Sequence, residues 1–211
     1  VLNKDFHLFD DLFLGPQTAP KALRVNGYEA NDMIFEHPKK VYREYLAKSE
    51  ISTNSEALLR VWNFRNITGT KANTPEGRAQ IVSREREVLQ HINHQNRDLY
   101  NHCLRSLTSF QKDEVTAEYS EVYEVPPGHV RFNEFIGKYG KNFSDMDRLN
   151  VVKLLIAKFS DLHEMKIAHR DVADHSLWIS PSKEVALSNF ISAYHQPAGT
   201  VGDYRKLLSV G

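Results

Sequence analysis

Along the first 25 residues, apolar and acidic positions mix without a period, and Gly15, Pro16 and Pro20 interrupt any long element. That stretch reads as a linker or the tail of something upstream. From Tyr28 to Phe64 the pattern turns strand-like. Met33-Ile34-Phe35, Val41 to Ala47 and Ala57 to Phe64 are short β-prone runs separated by polar loops. Thr74-Pro75-Glu76 then marks a helix start, with a hydroxyl cap followed by a proline where a missing N–H costs nothing. Ile81, Val82, Val88, Leu89 and Ile92 continue that helix to about His94. Residues 99–106 and 116–125 read as two more strands, five in this half, and Val130 to Ile136 begins a helical segment. The strongest helix spans 145–165, where Leu149, Val152, Leu155, Ile156, Phe159 and Leu162 fall at helical spacing. A polar turn follows Ile167, and Leu177-Trp178-Ile179 and Val185-Ala186-Leu187 read as a small hairpin.

The order predicts an α+β chain in two lobes: a linker at 1–25, a five-strand unit with one inserted helix over 26–125, and a mostly helical unit over 126–211. Composition narrows the picture without changing it. Apolar residues at 41% suffice for a core, which separates the chain from disordered ones. Lys plus Arg (27) equals Asp plus Glu (27), so bulk charge drives binding to neither nucleic acid nor an anionic membrane. A single cysteine, Cys103, forms no intramolecular disulfide, and no run of 18 apolar residues or signal pattern appears. A cytoplasmic protein is expected. Cys103 reads as a buried residue on a strand, Lys39-Lys40 and Arg84 to Glu87 as solvated faces, and His91 with His94 as too few ligands for a metal.

The segment that carries chemistry is Ile167-Ala168-His169-Arg170-Asp171-Val172, directly after the long helix, with Leu177-Trp178-Ile179 and Leu187-Ser188-Asn189-Phe190 beyond it. In this order the chain resembles the protein kinase superfamily, through its catalytic loop, its metal-binding loop and the helix before them. Upstream, Arg60 sits where strand 3 of a kinase carries its phosphate-binding lysine, and Glu85 where helix C presents that lysine's partner. Glu121 to Gly128, followed by Phe132 to Ile136, resembles the hinge and helix D, which puts Glu121 and Tyr123 beside a kinase's nucleotide. The implied architecture is a protein-kinase-like bilobal α+β fold: a five-stranded N-lobe sheet with helix C, and a partial helical C-lobe. The short activation segment resembles bacterial kinase-like domains attached to nuclease-related domains.

The departures from the family are as informative as the matches. Kinases hold ATP phosphates under a glycine-rich loop, because glycine lets backbone amides approach closely. Here Phe35 to Tyr42 contains no glycine, Pro38 lacks a donor, and Glu36 adds like charge. Arg60 keeps the lysine's charge but spreads it over a planar fork. Ser176 and Asn189 stand where the family places its two metal ligands, and both are neutral. Ile191 replaces the glycine of the same loop. By alignment, Leu58 and Trp178 bracket the adenine position and fill much of it.

The resemblance thus implies a pseudokinase that binds neither nucleotide nor metal, with Asp171 a remnant base and Arg60–Glu85 a structural ion pair. Leu89, His169 and Phe190 would pack as an internal spine. The alternative is a divergent ATP-dependent Ser/Thr kinase: Asp171 as base, Arg60 and Glu85 on phosphate, and Ser176 and Asn189 as weak magnesium ligands. A small-molecule phosphotransferase shares the catalytic loop but meets the same lost ligands. Only 21 residues follow Phe190 (211 − 190), fewer than a complete kinase C-lobe needs. The expectation is a fragment, or a domain completed by a protein partner, an adjoining domain of a longer chain or a second copy, covering an apolar face of the 145–165 helix.

Overall fold

The computed structural model describes residues 23–25, 27–50, 56–70, 74–107, 111–112 and 119–195. Most of the expected linker, part of the 116–125 strand and everything after His195 lie outside the described residues. What is described is α+β. The strands are β1 (Arg24–Val25), β2 (Tyr28–Glu36), β3 (Tyr42–Ser49), β4 (Glu56–Trp62), β5 (Arg105–Ser106), β6 (Gln111–Lys112) and β7 (Tyr119–Glu124). They form one antiparallel sheet in the order β1-β2-β3-β4-β7-β5, with β6 also on β7.

The register decides which side chains share a face. Glu44 lies opposite Arg60, Leu46 opposite Leu58, Leu58 opposite Tyr123 and Arg60 opposite Glu121. Directly opposed residues point to the same side, so a charged row and an apolar row lie parallel across three strands. The other face carries Ala47, Ala57, Leu59, Val61 and Val122, which pack with Val25. Both faces of β4 are therefore covered, which explains its nearly unbroken apolar run.

Helix α1 (Pro75–Gln95) starts as its sequence dictates: Thr74 Oγ1 accepts the Gly77 N–H at 3.1 Å, and Pro75 occupies the first turn. Its inner face joins two cores. Ile81 and Val82 pack with Trp62, Phe64 and Tyr119 under the sheet, whereas Val88, Leu89 and Ile92 pack with Leu162, Leu187 and Phe190. After it come α2 (Arg97–Asn101), β8 (Val130–Arg131), α3 (Phe132–Tyr139) and α4 (Asp145–Glu164). Ser144 caps α4 through a reciprocal box with Asp147. Short pairs close the lower part: β9 (Ile167–Ala168) with β12 (Tyr194–His195), and β10 (Leu177–Ile179) with β11 (Val185–Leu187) and β8.

Several expectations are corrected. Among the described residues the sheet has seven strands rather than five. Most of the 99–106 run is not a strand: the Asn96 side chain accepts the Leu99 N–H at 2.9 Å and starts α2, a local cap that outweighs the β-prone Leu99 and Tyr100. Cys103 is buried as expected but sits in an isolated bridge to Leu187. The linker boundary at residue 25 cuts a hairpin, because Arg24 and Val25 pair with Glu29 and Tyr28. Val130-Arg131 is strand before helix, since it pairs with Trp178 and Ile179. Arg84 and Glu85 are buried rather than solvated, Arg84 donating to the Ala193 carbonyl at 2.8 Å.

Candidate functional site

The charged row of the sheet meets the Asp171 loop in one continuous polar network. At its centre the Arg60 guanidinium is fully buried between two carboxylates, with Glu44 Oε1 at 2.7 Å on one side and Glu85 on the other. It also donates to Tyr123 Oη at 3.2 Å and Asn189 Oδ1 at 3.4 Å. Burial opposes its charge, but the adjacent Glu85 carboxylate outweighs burial and holds it protonated. Glu44 also pairs with Arg131, a second buried guanidinium. Glu85 reaches further: its Oε1 accepts the Phe190 N–H at 2.7 Å, which ties α1 to the loop beginning at Asn189.

Asn189 is left-handed (φ 67°, ψ 50°), a conformation that asparagine tolerates better than most residues. Its side chain lies between the Tyr42 hydroxyl, which donates to its Oδ1 at 3.4 Å, and Asp171, which accepts its amide. Asp171 is half-buried and takes a second contact from His175 Nε2 at 3.4 Å. Burial pushes its carboxyl up, but His175, His169 and His37 together hold it below the ordinary aspartate value. The loop itself is tied down: the Ser176 hydroxyl donates to the Asp171 carbonyl at 2.5 Å, and the Asp171 N–H to His169 Nδ1 at 3.3 Å. Since Nδ1 accepts, His169 carries its hydrogen on Nε2 and donates it to the Ser188 carbonyl at 2.8 Å. Burial lowers the His169 pKa and keeps this neutral form. Its ring meets Phe190 edge-on at 4.6 Å, in the core that also contains Leu89.

The apolar row fills the remaining space. Leu58 and Trp178 belong to one buried cluster with Leu104, Tyr123, Val125 and Ala186. Trp178 Nε1 donates to Ser188 Oγ at 3.1 Å. The Arg131 guanidinium lies 5.4 Å from the Trp178 ring and 5.2 Å from that of Phe35. Phe35 in turn stacks on His175 at 4.6 Å, so the β2–β3 hairpin rests on the Asp171 loop. Glu36 turns away to Arg43 at 2.7 Å. An open concavity of about 580 Å³ lies beyond this cluster, lined by Asp32, Leu46, Ala47, Lys48 and Glu56.

The structure thus brings Arg60, Glu85, Glu121, Tyr123, Asn189 and Asp171 into one network, Ser176 under its loop, and Leu58 with Trp178 beside it. Sequence reasoning missed Glu44 and Arg131, and noted Phe35 and Tyr42 only within β-prone runs and as the ends of the stretch without glycine. Glu44 had a signal, since it alternates in phase with Tyr42 and Leu46 in a strand-like run. Arg131 had none, because its position opposite Trp178 depends on strands 46 residues apart (177 − 131). Among the described residues, no group of three or more His, Cys, Asp or Glu side chains is placed to hold a metal ion. No helix among them is long and apolar enough to cross a membrane. No family model matches this chain, and no curated protein sequence does.

Proposed function

We propose that this chain is a pseudokinase: a protein-kinase-like bilobal module that regulates or scaffolds a protein partner, or an adjoining domain of a longer chain, without nucleotide or metal. The observation that carries the reading is the buried cluster of Leu58 and Trp178, closed by Arg131 between Trp178 and Phe35. On the kinase alignment Leu58 and Trp178 bracket the adenine position, and their burial supplies about 25 cal/mol per Å² without any ligand. Asn189 supports the same reading. A neutral amide donating to Asp171 satisfies that carboxylate internally, at the position where a kinase carries an anionic metal ligand.

Divergent kinase activity is favoured by one feature, the partly exposed Asp171 carboxylate, whose pKa lies below the ordinary aspartate value. A thermal-shift titration with ATP, with and without magnesium or manganese, separates the readings. No shift at millimolar nucleotide is the expected result. A metal-dependent rise of several degrees would overturn the pseudokinase reading and make Asp171→Asn the next variant.

A further inference from the structure

Tyr123 ends in a hydroxyl with one hydrogen, and two carboxylates lie against it: Glu85 Oε2 at 2.8 Å and Glu121 Oε2 at 2.9 Å. All three side chains are buried, at 2% exposure or less. One hydrogen serves one carboxylate. At the other contact two oxygens would meet lone pair to lone pair away from water, unless a second hydrogen lies between them. The surroundings say which oxygen holds it. Glu85 is supported as a carboxylate by the Arg60 guanidinium and the Phe190 N–H. Glu121 receives only the Trp62 indole N–H, at 3.3 Å, besides the shared hydroxyl, and its Oε1 is buried with no hydrogen-bond partner among the described residues. Glu44, the third carboxylate, already engages both Arg60 and Arg131.

We propose that Glu121 is a buried proton-binding site: in the folded protein its Oε2 carries a hydrogen and donates it to Tyr123 Oη, which donates its own to Glu85. Three carboxylates and two guanidiniums then carry balanced charge. The titratable and charged groups that face Glu121 are Arg60 on β4, Glu85 on α1 and Tyr123 on its own strand. Burial, then the Glu85 charge, push the Glu121 carboxyl up to about 7, so the site empties around neutrality. Once it is empty, Glu85 and Glu121 compete for one hydrogen. Glu85 also grips the Phe190 N–H, so the competition reaches the loop carrying Asn189 beside Asp171. The strength of the tie between sheet, helix and loop therefore varies with pH. This site stands whether or not the pseudokinase reading does.

The test uses the full chain in two measurements. Infrared spectra at about pH 5.5 and about pH 9 should show a protonated-carboxyl band in the wild type that fades at the higher pH. Glu121→Gln should lack that band, and Tyr123→Phe should move it to higher frequency, because the acid loses its acceptor. Denaturant unfolding then compares wild type with Glu121→Gln. The ratio of their unfolding constants should rise up to about tenfold per pH unit between roughly pH 5 and 7 and level off above, as one proton retained by the folded state requires. No protonated-carboxyl band in the wild type, a band unchanged by both variants, or a pH-independent ratio overturns the proposal.

Discussion

Trp178 shows how one side chain joins an apolar core to a polar loop. Its ring fills the space beside Leu58 and Tyr123, while its indole N–H reaches Ser188 at 3.1 Å. Ser188 Oγ is itself bonded to the Ser176 carbonyl at 3.4 Å, so the ring is pinned to the loop that carries Asp171. Truncation would leave a cavity, unsatisfy a hydroxyl and remove the surface under the Arg131 guanidinium. Trp178→Ala should therefore cost about 3–5 kcal/mol of folding free energy, read by denaturant unfolding. A melting temperature equal to that of the wild type would show that the site collapses without loss. The Arg60 network is not replaceable in the same way. A lysine there could meet Glu44 and Glu85 only as a single point charge, whereas the guanidinium fork spans both and still reaches Tyr123 and Asn189.

Helix α4 divides its apolar residues between two faces. Val151 and Leu162 are buried, and Leu155 and Phe159 partly so, but Leu149, Val152 and Ile156 are exposed, Ile156 to 63%. The periodicity that makes this the strongest helix in the sequence therefore counts residues from both sides. Substitutions separate the faces. Ile156→Ser should change stability by no more than about 0.5 kcal/mol, as exposed positions do, while Leu162→Ala should cost about 2–5 kcal/mol. Both are read by denaturant unfolding. Equal losses at the two sites would mean that the outer face is covered in solution.

For the molecule as a whole, protonation couples distant elements. His37 on the β2–β3 turn, His169 in the Asp171 loop and His195 on β12 all have pKa values lowered, chiefly by burial. A lowered folded pKa means that the unfolded chain binds more protons below the ordinary histidine value of about 6.5. Their stabilisation is thus present above that pH and lost as pH falls through the folded values. Glu121, with its raised pKa, works in the opposite direction between about 4.5 and about 7. The histidines by themselves make acidification destabilising, so in Glu121→Gln, which removes the opposing carboxyl, the unfolding midpoint should fall from pH 7 to pH 5. Adding His169→Phe should flatten that fall. A wild-type midpoint that rises on acidification would show that the carboxyl dominates.

What the sequence determined by itself was local or periodic. The Thr74-Pro75 start of α1, the span of α4, the β3 and β4 runs and the α+β class follow from caps and repeating apolar positions, which act over a few residues. Arg60, Glu85, Asp171 and Asn189 could also be singled out along the chain, and the structure places these four in one network. The tertiary structure alone decided what each charge meets. Glu44 joins Arg60 because β3 and β4 pair in one register and not its neighbour, since a slip of one residue would turn Glu44 to the other face. Arg131 reaches Glu44 across 87 residues, and Glu85 reaches Phe190 across 105. Asn96 turned a β-prone run into α2 because one side-chain cap offered the backbone a competing bond. Burial is likewise a property of the assembled fold. It separates Ile156 from Leu162 on one helix, and it gives Glu121 a proton that no count of charges along the chain would assign.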